Sequence, residues 1–307
     1  MKKITVLIGI PAFNEAGNID KLLRDLSLQQ ITRLSIKKIV VYSDGSNDDT
    51  VQVSNKVNIK YPIKVIDGKK RHGQAFAQNY IINKSHSDIL VLLNADIRIK
   101  DPQFLEKLCD PILKDNADLT SCLCVGLPPK KFLERILSYS ALYKRTLFES
   151  HRKGKNIYTC VGIARAFSQN LYTQLQFKES VGEDAYSYLF ATRNKFKYQY
   201  TPLARAYFKI PNAFQDHQKQ SIRYIQSKTR FIEDFGKSFV QNEYSLPLLL
   251  VFFITIKFFI KNPVYMTFYI GIIVVMVVLS KFSSRIGNKW EIAKSSKKLN
   301  IQEDNNA

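Results

Sequence analysis

At 307 residues the chain can bury one large hydrophobic core or one core with an appendage. Its 46 basic and 26 acidic residues leave a formal charge of +20, which suits a polyanionic partner: a phosphorylated substrate, an anionic membrane or a nucleic acid. The four cysteines, Cys109, Cys122, Cys124 and Cys160, lack two-pair zinc spacing, so they read as reduced structural thiols rather than a metal module.

The chain starts with the charges of a signal peptide, but its apolar stretch is short, contains Thr5 and Gly9, and stops at Pro11 without a cleavage pattern. Ile4 to Ile10 is therefore predicted as a first buried strand, in a part of the protein that stays in the cytoplasm. Ile19, Leu22, Leu23 and Leu26 then recur at helical spacing, with Asn18 as the predicted N-cap. A second strand, Lys38 to Tyr42, ends in Ser43-Asp44-Gly45-Ser46-Asn47-Asp48-Asp49-Thr50, a loop rich in turn formers. A third, Ile63 to Ile66, leads into Asp67 to Ala75, which holds the basic turn Lys69 to Gly73. Ile89 to Leu93 is an unbroken aliphatic run, the signature of a strand buried on both faces, and Asp96 follows at its carboxyl end.

Strands alternating with helices predict a doubly wound α/β unit. Ligands bind such sheets at the carboxyl ends of the strands, where Glu15, Asp44 and Asp96 stand. Carboxylates can bind a base, a ribose or a divalent cation, and lysines with backbone N–H groups neutralise phosphate; together they suit a nucleotide diphosphate with a metal. No G-x-G-x-x-G follows the first strand, which counts against an NAD enzyme.

Five short motifs now fall in a familiar order. Pro11-Ala12-Phe13-Asn14-Glu15 resembles the P-x-Y-N-E of family 2 glycosyltransferases, and Ser43 to Thr50 resembles their D-D-G-S-x-D-x-T. Asn94-Ala95-Asp96 stands at their D-x-D, Gly182-Glu183-Asp184 resembles their E-D element, and Gln220 to Tyr224 resembles their Q-x-x-R-W. The resemblance covers residues 4 to about 225. It implies a GT-A nucleotide-sugar-binding fold with a mostly parallel central sheet, and sugar transfer with inversion.

Carried over by position, Pro11, Phe13, Glu15, Asp44, Arg71, Asn94 and Asp96 would contact the donor, with Asp96 holding Mg²⁺ or Mn²⁺ on the diphosphate. Asp184 would be the catalytic base. Glu183, Gln220, Arg223 and Tyr224 would serve the diphosphate or the acceptor. The chemistry itself asks for such groups: a leaving diphosphate needs a cation and a guanidinium, and an acceptor hydroxyl needs a base. One-step inversion needs no enzyme nucleophile, in keeping with the lack of any Ser/His/Asp signature. The chain departs from the family pattern at Ser43, Asn94 and Tyr224, and at Gln74, where a basic residue is often seen.

Beyond the fourth strand the pattern is thinner. Phe132, Ile136, Tyr139, Tyr143 and Leu147 recur at helical spacing among basic residues, which predicts an amphipathic helix packed on the core in preference to one on a membrane surface. Tyr158 to Arg165 is predicted to return as a strand near the site, with Gly162 permitting a close approach or marking a bulge. The four histidines lack metal spacing.

The last part reads as a membrane end. Ile222, Ile225, Ile232, Phe235 and Phe239 mark one face of a helix whose other faces are basic, the pattern of a helix in the headgroup layer. Leu246 to Ile260 and Val264 to Ser280 follow as a transmembrane hairpin turning at Lys261-Asn262-Pro263, the first span marginal in length. Lys281, Arg285, Lys289, Lys294, Lys297 and Lys298 agree with cytoplasmic ends, and Trp290 suits an interface.

The expected division is a glycosyltransferase domain over 1–217, an interfacial helix region over 218–242, the hairpin over 243–282 and a basic tail over 283–307. The expected protein is a multi-pass enzyme of the cell membrane with a cytoplasmic catalytic domain. It takes a nucleotide diphosphate sugar and a glycan or lipid-linked acceptor in envelope polysaccharide or glycoconjugate synthesis, and does not bind nucleic acid. The alternatives are a polyprenyl-phosphate sugar synthase of the same fold and a non-catalytic nucleotide-sugar-binding scaffold.

Overall fold

Five aliphatic residues in a row, Ile89–Leu93, form strand β4, and every one of them is buried. Alternate residues serve opposite faces, as the two-residue period of a strand requires. Ile89, Val91 and Leu93 join one hydrophobic cluster with helices α1 (Ile19–Ser27) and α4 (Phe104–Leu113). Leu90 and Leu92 join a second cluster with α3 (Gln74–Asn83), α6 (Gln169–Tyr172) and α7 (Glu183–Arg193). The sheet is thus covered on both sides. This computed structural model describes residues 3–178 and 182–282; the predicted tail with Arg285, Lys289, Trp290, Lys294, Lys297 and Lys298 lies outside them.

Strands β1 (Ile4–Ala12), β2 (Leu34–Asp44), β3 (Ile63–Gly68), β5 (Leu119–Gly126), β6 (Ala164–Ser168) and β7 (Tyr198–Phe208) complete a seven-stranded sheet of order β3-β2-β1-β4-β6-β5-β7. All neighbouring pairs are parallel except those made by β6, which runs antiparallel to β4 and β5. The chain turns from one side of the sheet to the other between β1 and β4. Their carboxyl ends therefore flank a crevice at the switch point.

The first and second strands run further than the aliphatic residues that announce them. Pairing continues through Ala12↔Ser43 and Asp44↔Gly68, so Asp44 ends a strand instead of opening a loop. The returning strand starts at Ala164 rather than Tyr158. Asn156 instead accepts a hydrogen bond from Tyr158 N at 3.1 Å and closes a 3₁₀ turn over Ile157–Thr159.

Helix α5 (Phe132–Ser150) does pack its apolar face, but its partners are α10 (Leu248–Lys261) and α11 (Pro263–Phe282), not the sheet. Tyr139 donates its hydroxyl to the Phe258 carbonyl at 2.5 Å, and the Tyr143 hydroxyl meets Thr255 Oγ1 at 2.9 Å. Between the two apolar helices Asn262 leaves helical geometry; its Oδ1 accepts from Tyr265 N at 3.0 Å and caps α11, with Pro263 at the first helical position. At 14 and 20 residues, α10 and α11 are about 21 and 30 Å long.

The predicted interfacial helix is two helices. Helix α8 (Phe214–Phe235) stops at Gly236, whose φ of 88° is open to glycine, and α9 (Lys237–Glu243) follows, so Phe239 belongs to a separate element. Ile222 and Phe231 are the buried apolar residues of α8, while Ile225 lies exposed.

Candidate active site

The loop after β1 is laced to the loop after β2. Asn14 N donates to Ser46 Oγ at 3.1 Å, Asn47 N to Asn14 Oδ1 at 2.8 Å, and Glu15 N to Thr50 Oγ1 at 2.8 Å. Asn18 stands at the N-cap position of α1, but its side chain does not cap the helix: it donates Nδ2 to Glu15 Oε2 at 2.8 Å. That bond gives one oxygen of the buried Glu15 carboxylate a charge-assisted partner.

Asp44 reaches the next loop. Its two oxygens accept from His72 N at 2.8 Å and Gly73 N at 2.7 Å, just before α3. Gly45 permits this approach. Its φ is 70°, and a Cβ there would lie 2.6 Å from Arg71 N. Above the same turn the Arg71 guanidinium lies 4.1 Å from the centre of the Phe13 ring. Pro11, beside Tyr42 in the sheet, and Phe13, Glu15, Asp44 and Arg71 thus form one group at the ends of β1, β2 and β3.

Asn94 connects this group to a second one. Gln74 Nε2 donates to its Oδ1 at 3.2 Å, so two of the positions that depart from the family pattern touch each other. The backbone of Asn94 donates to the Ile163 carbonyl at 2.9 Å; next to it, Gly162 N donates to Asp184 Oδ2 at 3.2 Å. Asp184, in the first turn of α7, is thereby held beside the end of β4. A Cβ on Gly162 would meet Asp184 at 3.5 Å, an ordinary contact, so the glycine is not there for want of space.

The remaining charges gather around Arg223 of α8. Burial pushes the Asp96 carboxyl up, and the Arg223 cation pulls it back. Glu183, 6% exposed and with Oε1 unpartnered among the described residues, is pushed up to about 7. Burial dominates that shift; the Asp184 charge adds to it, while Arg223 and Arg165 oppose it. The Asp184 charge is also felt by Tyr224, a half-exposed side chain on α8. Gln220 sits one turn before Arg223, half-buried.

Sequence reasoning passed over Arg165. It is fully buried on β6 and donates from Nη1 to the Glu183 carbonyl and Ser187 Oγ, both at 2.8 Å, and from Nη2 to Gln78 Oε1 at 3.2 Å. The rings of Phe167 and Phe177 lie 5.4 and 5.8 Å from its guanidinium. It fixes the first turn of α7, and with it Glu183 and Asp184. The one signal was an arginine among small apolar neighbours in Ala164-Arg165-Ala166.

Among the described residues no cluster of three or more His, Cys, Asp or Glu side chains is present, so the chain offers no closed metal cage. Asp96 would offer one hard oxygen ligand near the end of β4, and the Asn94 oxygen already accepts from Gln74. Such a set fits a cation whose other ligands are phosphate and water, the usual habit of Mg²⁺. The four cysteines are free thiols.

Comparison with known proteins agrees with this geometry. The dolichol-phosphate mannosyltransferase of Pyrococcus furiosus is 31% identical over 119 residues, 38% of this chain and 32% of that protein. The 4,4'-diaponeurosporenoate glycosyltransferase of Staphylococcus haemolyticus is 30% identical over 106 residues, 34% of this chain and 27% of that protein. The match thus spans about a third or less of the length of these curated relatives. In fold the chain is similar to the mannosyltransferase PcManGT from Pyrobaculum calidifontis, solved with GDP-Man and Mn²⁺. The TM-score is 0.61 at 14% identity, over 93% of this chain and 77% of that one. Residues 7–175, more than half of the sequence, match the family model described as glycosyl transferase family 2, and the chain belongs to that family.

Proposed function

We propose that the chain is a membrane-anchored, inverting glycosyltransferase that moves a sugar from a nucleotide diphosphate donor to a glycan or lipid-linked acceptor in envelope glycoconjugate synthesis. The observation that carries this reading is that Gly162 N holds Asp184, in the first turn of α7, beside the backbone of Asn94 just past the end of β4, with Asp96 two residues on. The donor's nucleoside would lie over the first group, between Phe13, Arg71 and the Glu15 and Asp44 loops. Its diphosphate would point to Asp96 and Arg223. Asp96 would hold Mg²⁺ or Mn²⁺ there, which supplies neutralisation of the departing diphosphate's charge.

The rest falls to side chains. Asp184, whose oxygens accept from Gly162 N and, at 2.8 Å, from Ala185 N, would take the proton of an acceptor hydroxyl. Glu183, pushed up to about 7 chiefly by burial, is only partly ionised around pH 7 and adds less than a full charge beside it. Arg223 offers a guanidinium to the leaving phosphates, and Gln220 and Tyr224 border the acceptor side of α8. The family's usual first metal acid is absent at Asn94, so less of the cation's charge is met by the protein and more by the donor.

Membrane attachment rests on α10 and α11. With the residues leading into α10, both meet the length and apolarity of a span, and they leave Phe252, Phe253, Val264 and Phe268 more than half exposed. We read 1–217 as the catalytic domain on the cytoplasmic face, 218–242 as interfacial, 243–282 as the hairpin and 283–307 as a basic tail on the same side.

The experiment is nucleoside diphosphate release from a panel of nucleotide sugars by membranes carrying the protein, with Mn²⁺ or Mg²⁺ and membrane lipids as acceptor. Asp184→Asn is expected to reduce transfer by about 10²- to 10⁴-fold while nucleotide binding persists. Unchanged release in Asp184→Asn would remove the assigned base, and no release from any donor would favour the scaffold.

A further inference from the structure

Helices α5 and α8 both pack on α11, and along this seam lies a lysine for which no anionic partner is seen among the described residues. The Lys144 ammonium, half-buried on α5, lies 5.9 Å from the centre of the Tyr269 ring of α11. Among the described residues no carboxylate pairs with it, and burial pushes its pKa down. A lysine kept partly from water in this way gains from an anionic ligand. Across the seam stands His217 of α8, pushed down to about 4 by burial and by the Lys144 charge, hence neutral near pH 7. Its Nε2 lies 3.4 Å from Ser221 Oγ. An ammonium, a neutral imidazole and a hydroxyl make a set suited to phosphate.

The same face of α5 leads to Asp184. One turn beyond Lys144, Phe148 stacks on Tyr158 at 4.4 Å, and Tyr158 meets Tyr244 edge-on at 5.8 Å. The Tyr244 hydroxyl is buried with no partner among the described residues; burial, and behind it the Asp184 charge, push this phenol up. Lys228 Nζ lies 5.0 Å from the centre of the same ring. Aromatic faces with an unpartnered hydroxyl next to the base suit a sugar ring. From Lys144 to Phe148 is about 6 Å along α5, and from His217 to Arg223 about 9 Å along α8, the breadth of one sugar residue. Beyond Tyr269 the outer surface of α11 is apolar, with Val264, Phe268 and Val274 exposed.

We propose that this seam binds the phosphate of a lipid-linked saccharide, Lys144 being its counter-charge, so that a hydroxyl of the attached sugar reaches Asp184 while the lipid chain lies along α11. The proposal rests on Asp184 being the base.

The test is binding of farnesyl diphosphate and of farnesol to the full chain in neutral detergent, with Mn²⁺ and either UDP or GDP present to fill the donor site. Farnesyl diphosphate is expected to bind about tenfold more tightly than farnesol, with that preference lost in Lys144→Met and kept in Lys144→Arg. Equal affinity for the two probes, a preference that survives Lys144→Met, or displacement by either nucleotide would overturn the proposal. Inorganic diphosphate binding as tightly as farnesyl diphosphate would overturn its lipid part. Nucleoside diphosphate release in the donor panel is read separately, so a working lipid site in a chain that never transfers sugar condemns the enzyme reading alone.

Discussion

Glu183 is a carboxyl whose ionisation is set by its place in the fold. Burial pushes it from an ordinary 4.5 up to about 7, so between those values the unfolded chain has released a proton that the folded chain retains. Stability therefore falls as pH rises through that window and levels off above it. Glu183→Gln removes the effect: in denaturant melts it is expected to exceed the wild type by on the order of 3 kcal/mol at about pH 8 and by almost nothing at about pH 4. The Gln74–Asn94 contact makes a second expectation. Asn94→Asp brings a charge next to Asp96 and should weaken folding but tighten Mn²⁺; adding Gln74→Lys should restore about 1 kcal/mol in a double-mutant cycle. Arg165→Met strands the Glu183 carbonyl, Ser187 and Gln78, and is expected to cost about 3 kcal/mol in urea unfolding. The position of Asp96 just past the end of β4 was legible because an apolar run stops there. Arg165 was not, since its partners come from α3 and α7, and a lone arginine in a sequence carries no sign of which contacts will bury it.

Among elements, the strands were readable from their aliphatic centres and misread at their ends, where Ser43 and Asp44 keep pairing although nothing in their side chains favours a strand. The amphipathic period of α5 was equally plain, but periodicity gives a face and not its partner: the face meets α10 and α11. The break at Gly236 was hidden because apolar residues continue at helical spacing across it. The loops after β2 and β3 depend on a single backbone crossing at Gly45. Gly45→Ala forces a side chain against Arg71 N and is expected to lower stability by about 1–3 kcal/mol and to weaken UDP or GDP binding, read by a thermal melt with and without nucleotide. Loss of stability with intact nucleotide binding would mean that the loop is not part of the donor site.

For the molecule as a whole, the mostly parallel α/β sheet was legible from the alternation of strands and helices, whereas its strand order, the antiparallel β6 and the joining of α5 to the apolar helices were not. The hairpin reading predicts that Lys237→Cys and Lys281→Cys are labelled by an impermeant maleimide from the same side of sealed vesicles; labelling from opposite sides would require a single span. Helix α10 itself is about 9 Å shorter than α11, and α9 with the residues leading into α10 makes up the length, so the two legs of the proposed hairpin are built differently, one a single rod and the other jointed. A straight leg must tilt to fit a thinner bilayer, whereas a jointed one can fold at its break. The proposed hairpin therefore predicts that nucleoside diphosphate release, measured after reconstitution in bilayers of progressively shorter acyl chains, changes with acyl length; release indifferent to bilayer thickness would count against two spans.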